Sequence, residues 1–235
     1  MKLILNRKFK NVTIVEGFPG FGLIGTIATE FLIEHLQTEK VGSNQVDEVP
    51  AMVAVHQNKI VEPVSLHYNK KYNILLVHAL NVPPELGWKL AEVIRELAET
   101  VQAKEIISLE GVGSPPHPGA SKVYYFCTQN GRSKVLDNFA TPLKEGIIVG
   151  VTGALLVRET KVPVTALFAE AESNLPDSKA AASIIKALDQ YAGLKVDYKP
   201  LLKQAEVFQD KLKDILSKGK KAEGVVEDKK MGYVG

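Results

Sequence analysis

The sequence predicts an α/β fold, a mixed, largely parallel sheet with helices on both faces. Three observations carry this. Strand-like and helix-like segments alternate along most of the chain. Several strands, such as Asn73-Ile74-Leu75-Leu76-Val77-His78-Ala79-Leu80, are apolar throughout, as strands covered on both faces must be. Two glycine-punctuated stretches, Gly20–Gly25 and Gly146–Gly153, join a strand to a helix.

Residues 12–16 read as a first strand and Phe21 to Leu36 as a helix, with Leu23, Ile27, Phe31 and Ile33/Leu36 on its apolar side. Thr38 to Val46 reads as a strand that ends at the polar break Asp47-Glu48-Val49-Pro50. Ala51–Gln57 and Val61–Tyr68 read as strands joined through Asn58-Lys59, and Tyr72–Leu80 follows. Pro83-Pro84 opens a helix that buries Leu86, Leu90, Val93, Ile94, Leu97 and Val101. Lys104–Leu109 is a central strand, and Ser114–Gly119 is irregular. Lys122–Thr128 and Arg132–Leu136 read as a hairpin turning at Asn130-Gly131. A helix from Gly150 to Thr160 and a strand over Val162–Ala169 come next. Asp177 is placed as the N-cap of a helix with Ile184, Ile185, Leu188 and Tyr191 inward, closed by Gly193. A last helix from Tyr198 to Leu216 carries Leu201, Ala205, Phe208, Leu212 and Ile215 on one seam. Residues 1–217 are therefore expected to form one domain. Residues 218–235, charged and poor in large apolar side chains, are expected to be a disordered tail.

Bulk properties narrow the function. A balance of 29 basic against 27 acidic side chains does not suggest a nucleic-acid binder. No apolar run approaches the length of a membrane span, and Met1–Lys8 turns polar too soon for a signal peptide. The single cysteine, Cys127, fits a reducing cytoplasm and reads as an inert side chain in an apolar strand. Zinc-type and hydrolase-type signatures are lacking. His35 is expected in solvent; His56, His67 and His78 read as satisfied sheet histidines, and His117 as displayed on its loop.

Two constellations invite chemistry. Gly20-x-Gly22-x-x-Gly25 has the spacing of a dinucleotide-binding turn, with Asp47 and Glu48 where a ribose-binding carboxylate belongs. Glu16 beside the turn opposes a pyrophosphate, and Pro19 removes an N–H from it, so the glycines are read as close strand–helix packing. The second constellation is acidic. Glu16, Glu110, Glu170 and Glu172 follow predicted strands and define an alternative pocket at the sheet edge where open α/β proteins bind ligands.

Taken in order, Glu16-Gly17-Phe18-Pro19-Gly20-Phe21-Gly22-Leu23-Ile24-Gly25, Asp47-Glu48-Val49-Pro50, Gly150-Val151-Thr152-Gly153-Ala154-Leu155-Leu156, Ala169-Glu170-Ala171-Glu172, Pro176-Asp177 and Leu194-Lys195-Val196-Asp197 resemble the proteasome-assembly-chaperone family in its archaeal branch. The resemblance covers roughly residues 10–216. It implies a nucleoside-phosphorylase-like α/β fold without an established activity, hence no catalytic residue, cofactor or metal. It also implies a cytoplasmic homo-oligomer, in ring form among the options, with a role in assembling the 20S proteasome. Some members end in a hydrophobic–tyrosine–any tripeptide that inserts between proteasome α-subunits. Here Tyr233, Val234 and Gly235 are the corresponding partner-binding residues, with the tyrosine third from the end rather than second and Gly232 before it. The alternative is a nucleosidase- or phosphorylase-like enzyme that uses the strand-end carboxylates.

Overall fold

The structure is a computed structural model that describes residues 2–45, 54–56, 59–115, 121–158, 160–171 and 175–202. Its strands are β1 (Lys2–Leu5), β2 (Thr13–Gly17), β3 (Glu39–Gln45), β4 (Ala54–His56), β5 (Lys59–Val61), β6 (Val64–Asn69), β7 (Ile74–Ala79), β8 (Glu105–Gly113), β9 (Val123–Cys127), β10 (Thr141–Pro142) and β11 (Val164–Ala171). Its helices are α1 (Ile24–His35), α2 (Gly87–Thr100), α3 (Ser133–Leu136), α4 (Gly150–Val157) and α5 (Ser178–Ala192).

Nine strands form one sheet in the order β1-β3-β6-β7-β2-β8-β11-β9-β10, and β4 pairs with β5 beside it. Of the eight neighbour pairs in the large sheet, four are parallel and four antiparallel. The expectation of a largely parallel sheet is corrected accordingly. Parallel pairing unites the central strands β7-β2-β8-β11, which is where helical crossovers supply the required connections. The flanking pairs β1–β3, β3–β6, β6–β7 and β11–β9 run antiparallel, and the two-residue β10 pairs parallel with β9.

The centre of the sheet is covered on both faces. Helices α1 and α5 pack on one face around Val15, Ile27, Leu32, Ile107, Leu167, Ile184 and Leu188. On the other face α2 and α4 enclose Ile14, Leu75, Val77, Leu90, Ile94, Leu97 and Leu155. The apolar stripe read on α2 is buried as its spacing requires. Adjacent residues of β2 serve different cores, Ile14 one and Val15 the other, because successive side chains leave opposite faces of a strand.

Several boundaries follow from identifiable contacts. Asp177 caps α5, its side chain accepting the Ala180 N–H at 2.9 Å, while its own N–H donates to Gly22 O at 2.9 Å. Gly193 ends the helix at φ 65°, a left-handed conformation that suits glycine. The segment read as one strand over Val61–Tyr68 is split, because Pro63 has no N–H to donate; its carbonyl accepts from Leu80 N instead.

The hairpin at Asn130-Gly131 is not formed. Asn130–Arg132 is a 3-10 turn that runs into α3, and the strand expected over Arg132–Leu136 is absent. Tertiary contacts override the local turn signal here. Arg132 reaches Glu105 and the Tyr191 hydroxyl, and Leu136 is fully buried. The pairing edge of β9 goes to β11 and to the two-residue β10. The last predicted helix past residue 202, the 218–235 tail, and the segments holding Asp47, Glu48 and His117 lie outside the described residues.

Replacing Asp177 by Ala removes the side-chain cap and leaves the backbone bond to Gly22 in place. The unfolding free energy should fall by about 1 kcal/mol. Urea denaturation should show this as a lower midpoint with an unchanged slope.

Candidate functional site

The order of the parallel strands creates a crevice. From β2 the chain crosses by α1 and leads to β7 on one side; from β7 it crosses by α2 to β8 on the other. Connections leave the carboxyl ends of β2 and β8 in opposite directions, the arrangement at which open α/β sheets form ligand sites. A cleft of about 370 Å³ lies there, lined among others by Phe18, Phe21, Pro83, Ile148, Phe168 and Glu110. Glu110 is the one ionisable side chain in that lining among the described residues.

The glycine-rich turn forms the cleft's near wall. A Cβ on Gly17 would lie 2.1 Å from Gly25 O, and one on Gly25 would lie 2.3 Å from Leu109 O. These two glycines let the first turn of α1 press on β2 and β8, which is the close packing expected from the sequence. Gly20 has a different role. A Cβ there would lie 1.8 Å from Glu110 Oε1, so the Glu110 carboxylate fills the space over the turn. A dinucleotide phosphate would meet an internal carboxylate in that position.

Glu110 and Glu16 belong to one hydrogen-bonded chain. Both were expected just beyond their strands. Glu16 is the fourth residue of β2, and β8 runs on to Gly113, which places Glu110 within it. Ser108 Oγ bonds Glu16 Oε1 and lies 2.7 Å from Thr152 Oγ1, and Thr152 bonds Glu110 Oε2 at 3.1 Å. Strand register puts Ser108 opposite Glu16, alternation puts Glu110 on the same face, and the first turn of α4 brings Thr152 over them.

Counting protons bears on the ionisation state. The chain has four oxygens and three contacts. Its two hydroxyls supply two hydrogens, and the third must come from a carboxyl group. The arrangement therefore favours a protonated member of the pair. Burial raises Glu16 to about 8, opposed by the Ser108 hydrogen bond and reinforced by the charge of Glu110. Burial also raises Glu110, to about 7, against the Thr152 hydrogen bond and the Gly111 N–H. Both acids are thus held toward the protonated form, and Glu110 is the member that lines the cleft. The Phe18 backbone N–H also acts on the Glu16 carboxyl group and lowers it, against the larger effect of burial.

The other two carboxylates of the expected pocket do not join this pair. Glu170, within β11, accepts from the Tyr124 hydroxyl at 2.7 Å and from Lys122 N at 3.4 Å. Glu172 lies outside the described residues, as do Tyr233, Val234 and Gly235. No group of three or more metal-type ligands occurs among the described residues.

His78 is buried between Thr29 Oγ1 at 2.9 Å and the Glu30 carboxylate at 3.0 Å, and His67 lies 3.0 Å from Ser65 Oγ. Burial, with His78 nearby, holds His67 down near 4. Both are sheet histidines with partners, as expected. His35 is exposed but also accepts the Asp197 N–H at 3.3 Å and stacks on Phe31. Cys127 is half-buried beside Thr165, and burial pushes its thiol up, away from nucleophilic character.

Two participants were missed in the sequence. Ser108 was legible as a lone hydroxyl within Ile106-Ile107-Ser108-Leu109, and Thr152 as the polar residue of Gly150-Val151-Thr152-Gly153. A separate cluster was missed too. Buried Glu105, raised by that burial, is held by Arg132, by Thr165 and by the Tyr191 hydroxyl at 2.8 Å. It fastens the start of β8 to α5 and to the turn before α3.

No helix among the described residues is long and apolar enough to cross a membrane. In this α/β fold the glycine turn packs α1 on the sheet and the Glu110 carboxylate lies against it. The chain belongs to the PAC2 family, whose model matches residues 14–216. Protein MJ0106 of Methanocaldococcus jannaschii is 27% identical over 219 residues, spanning 92% of this chain and 90% of that relative. The structure is similar to PbaA of Pyrococcus furiosus, an archaeal homolog of proteasome-assembly chaperone, with a TM-score of 0.84 and 29% identity over 94% of this chain and 99% of that one. It also has the fold of Pyrococcus furiosus PbaB, an archaeal proteasome activator, with a TM-score of 0.75 and 21% identity over 91% and 98% of the two chains.

The protonation of the pair has a sign that can be measured. Both carboxyl groups are raised on folding, so between the ordinary carboxylate range and pH 8 the folded chain holds protons that the unfolded chain has released. Their stabilising contribution is complete at acid pH and is lost as pH rises through about 7 to 8. The wild-type melting temperature should decline from pH 5 to 8.5, with a slope of up to about 1.4 kcal/mol per pH unit for each proton. Glu16→Gln should flatten that decline in a thermal melt.

Proposed function

We propose that this chain is a non-enzymatic, self-associating scaffold acting in the cytoplasm in proteasome assembly. The observation that carries this reading is membership of the PAC2 family over nearly the whole folded part, together with the likeness to PbaA.

The surface supports self-association. Ile147 is 92% exposed and Val149 and Val157 each 74%, and Trp88 is exposed beside them on the α2/α4 side. Gly87 and Gly150 approach closely there, and Arg158 lies over the Trp88 ring. Large apolar side chains exposed at both ends of α4 favour a protein contact. The partners that fit are further copies of this chain, in a ring or another closed oligomer, and proteasome α-subunits or a related archaeal protein.

Tyr233, Val234 and Gly235 are assigned here as the anchor to the α-ring. An aromatic ring followed by a small apolar side chain, carried on a charged segment, suits capture in a pocket between subunits.

Two measurements test this. The full chain should bind an isolated archaeal 20S α-ring, and deletion of residues 231–235 should weaken binding about tenfold or more. Equal binding by both, or by neither, removes the anchor. Native mass spectrometry should give a discrete oligomer for the wild type and a lower mass for Ile147→Asp, which places a charge in the apolar patch.

A further inference from the structure

The switch-point cleft is unusual in its polarity. Its walls are apolar, formed by Phe18, Phe21, Pro83, Ile148 and Phe168, and its single ionisable side chain is acidic. No lysine or arginine lines it among the described residues, so an anionic ligand has no counter-charge there. We propose that this cleft binds small amphipathic ammonium compounds, with Glu110 Oε1 accepting the N–H donors and the apolar walls covering the hydrocarbon.

Three features of the geometry converge on that chemistry. Glu110 Oε2 is engaged by Thr152, whereas Oε1 has only the weak contact with the Gly111 N–H at 3.4 Å. Oε1 therefore retains capacity for a strong donor. Next, Glu110 is the acid of the pair whose carboxyl group borders the cleft. A charge in that partly apolar setting gains more from a cation than it would in water. Finally, the volume of about 370 Å³ lies within the usual range of small-molecule sites, roughly 300–1,000 Å³, in which apolar walls bind and a few polar groups orient.

Gly20 keeps access open. Its backbone is extended, a conformation any residue adopts, yet its missing side chain is what lets Oε1 lie over the turn. A methyl group at position 20 would occupy that space.

The charged groups on the surrounding elements are few. Glu16 on β2 stands behind Glu110 through Ser108 and Thr152, and burial holds it toward the protonated form. Exposed Lys144 and Glu145 precede α4, and exposed Glu85 and Lys89 flank the start of α2. On β11, Phe168 stands opposite Glu110 in register, and Glu170 is engaged by Tyr124. Within the pH range of interest, ionisation of Glu110 itself governs the binding of a cation.

The test uses the full-length wild-type protein with n-hexylammonium, n-hexanol and hexanoate as probes. Binding is followed by saturation-transfer NMR and isothermal titration calorimetry. Hexylammonium should bind saturably; hexanol should bind at least about tenfold more weakly and hexanoate not at all. Because Glu110 ionises near pH 7 and the amine stays protonated far above that, affinity should rise by up to about tenfold per pH unit between pH 5 and 6.5. It should then level off above pH 7.5. Glu110→Gln and Gly20→Ala should each weaken amine binding about tenfold or more.

Equal affinity for hexanol and hexylammonium would overturn the proposal. So would amine binding that is indifferent to both substitutions, a flat pH profile, or the absence of saturable binding by the amine. Should Glu110→Gln fail to fold, Gly20→Ala and the wild-type pH profile decide the same question. None of these readouts depends on proteasome binding, so the scaffold reading and the ligand site stand or fall separately.

Discussion

The hydrogen-bonded pairing of two buried acids, Glu16 and Glu110, both held toward the protonated form, is the constraint on which the centre of this molecule rests. The four-oxygen chain through Ser108 and Thr152 ties β2, β8 and α4 together at the place where the sheet's connections diverge. Burial opposes ionisation of both acids there, and the charge of Glu110 adds to that for Glu16. With a protonated member the chain has a hydrogen for every contact. Two otherwise costly acids then become a link between strand and helix.

The same pair explains the glycine-rich turn. Its spacing is that of a phosphate cradle, and its context of strand followed by helix is also right. What fills it is Glu110, an anion supplied by the neighbouring strand. Gly17 and Gly25 serve contact between α1 and the sheet, and Gly20 makes room for the carboxylate. A motif that elsewhere recruits a nucleotide is here satisfied from within the chain.

Much of this was legible in the residues, and the exceptions have physical causes. The caps of α5 could be read because capping depends on a few adjacent residues: Asp177 supplies an acceptor, and Gly193 takes up a left-handed conformation. The buried stripe of α2 was legible because a helical period repeats within one element. The turn at Asn130-Gly131 was misread because its local preference is outweighed by Arg132 reaching residues far along the chain. Glu110 and Glu170 look equivalent in sequence, each at the end of an apolar run. Only strand register and the placement of α4 make one a member of the hydrogen-bonded pair and the other a partner of Tyr124. Ser108 and Thr152 carried a faint signal, a hydroxyl in an otherwise apolar setting, but their meeting across three elements is a property of the topology.

Family membership directs attention to the outer surface, where exposed apolar side chains suit assembly, while the interior chemistry lies at the sheet's switch point. Both depend on α4: its approach segment carries Ile147 and Val149, and its first turn carries Thr152. The protonation of Glu16 is the most direct point of attack on this picture. Difference infrared spectroscopy at pH 7, comparing wild type with Glu16→Gln, should show the carbonyl stretch of one protonated carboxyl group in the wild type and its loss in the variant. A wild-type spectrum at pH 7 with no protonated-carboxyl band would contradict the protonation of Glu16.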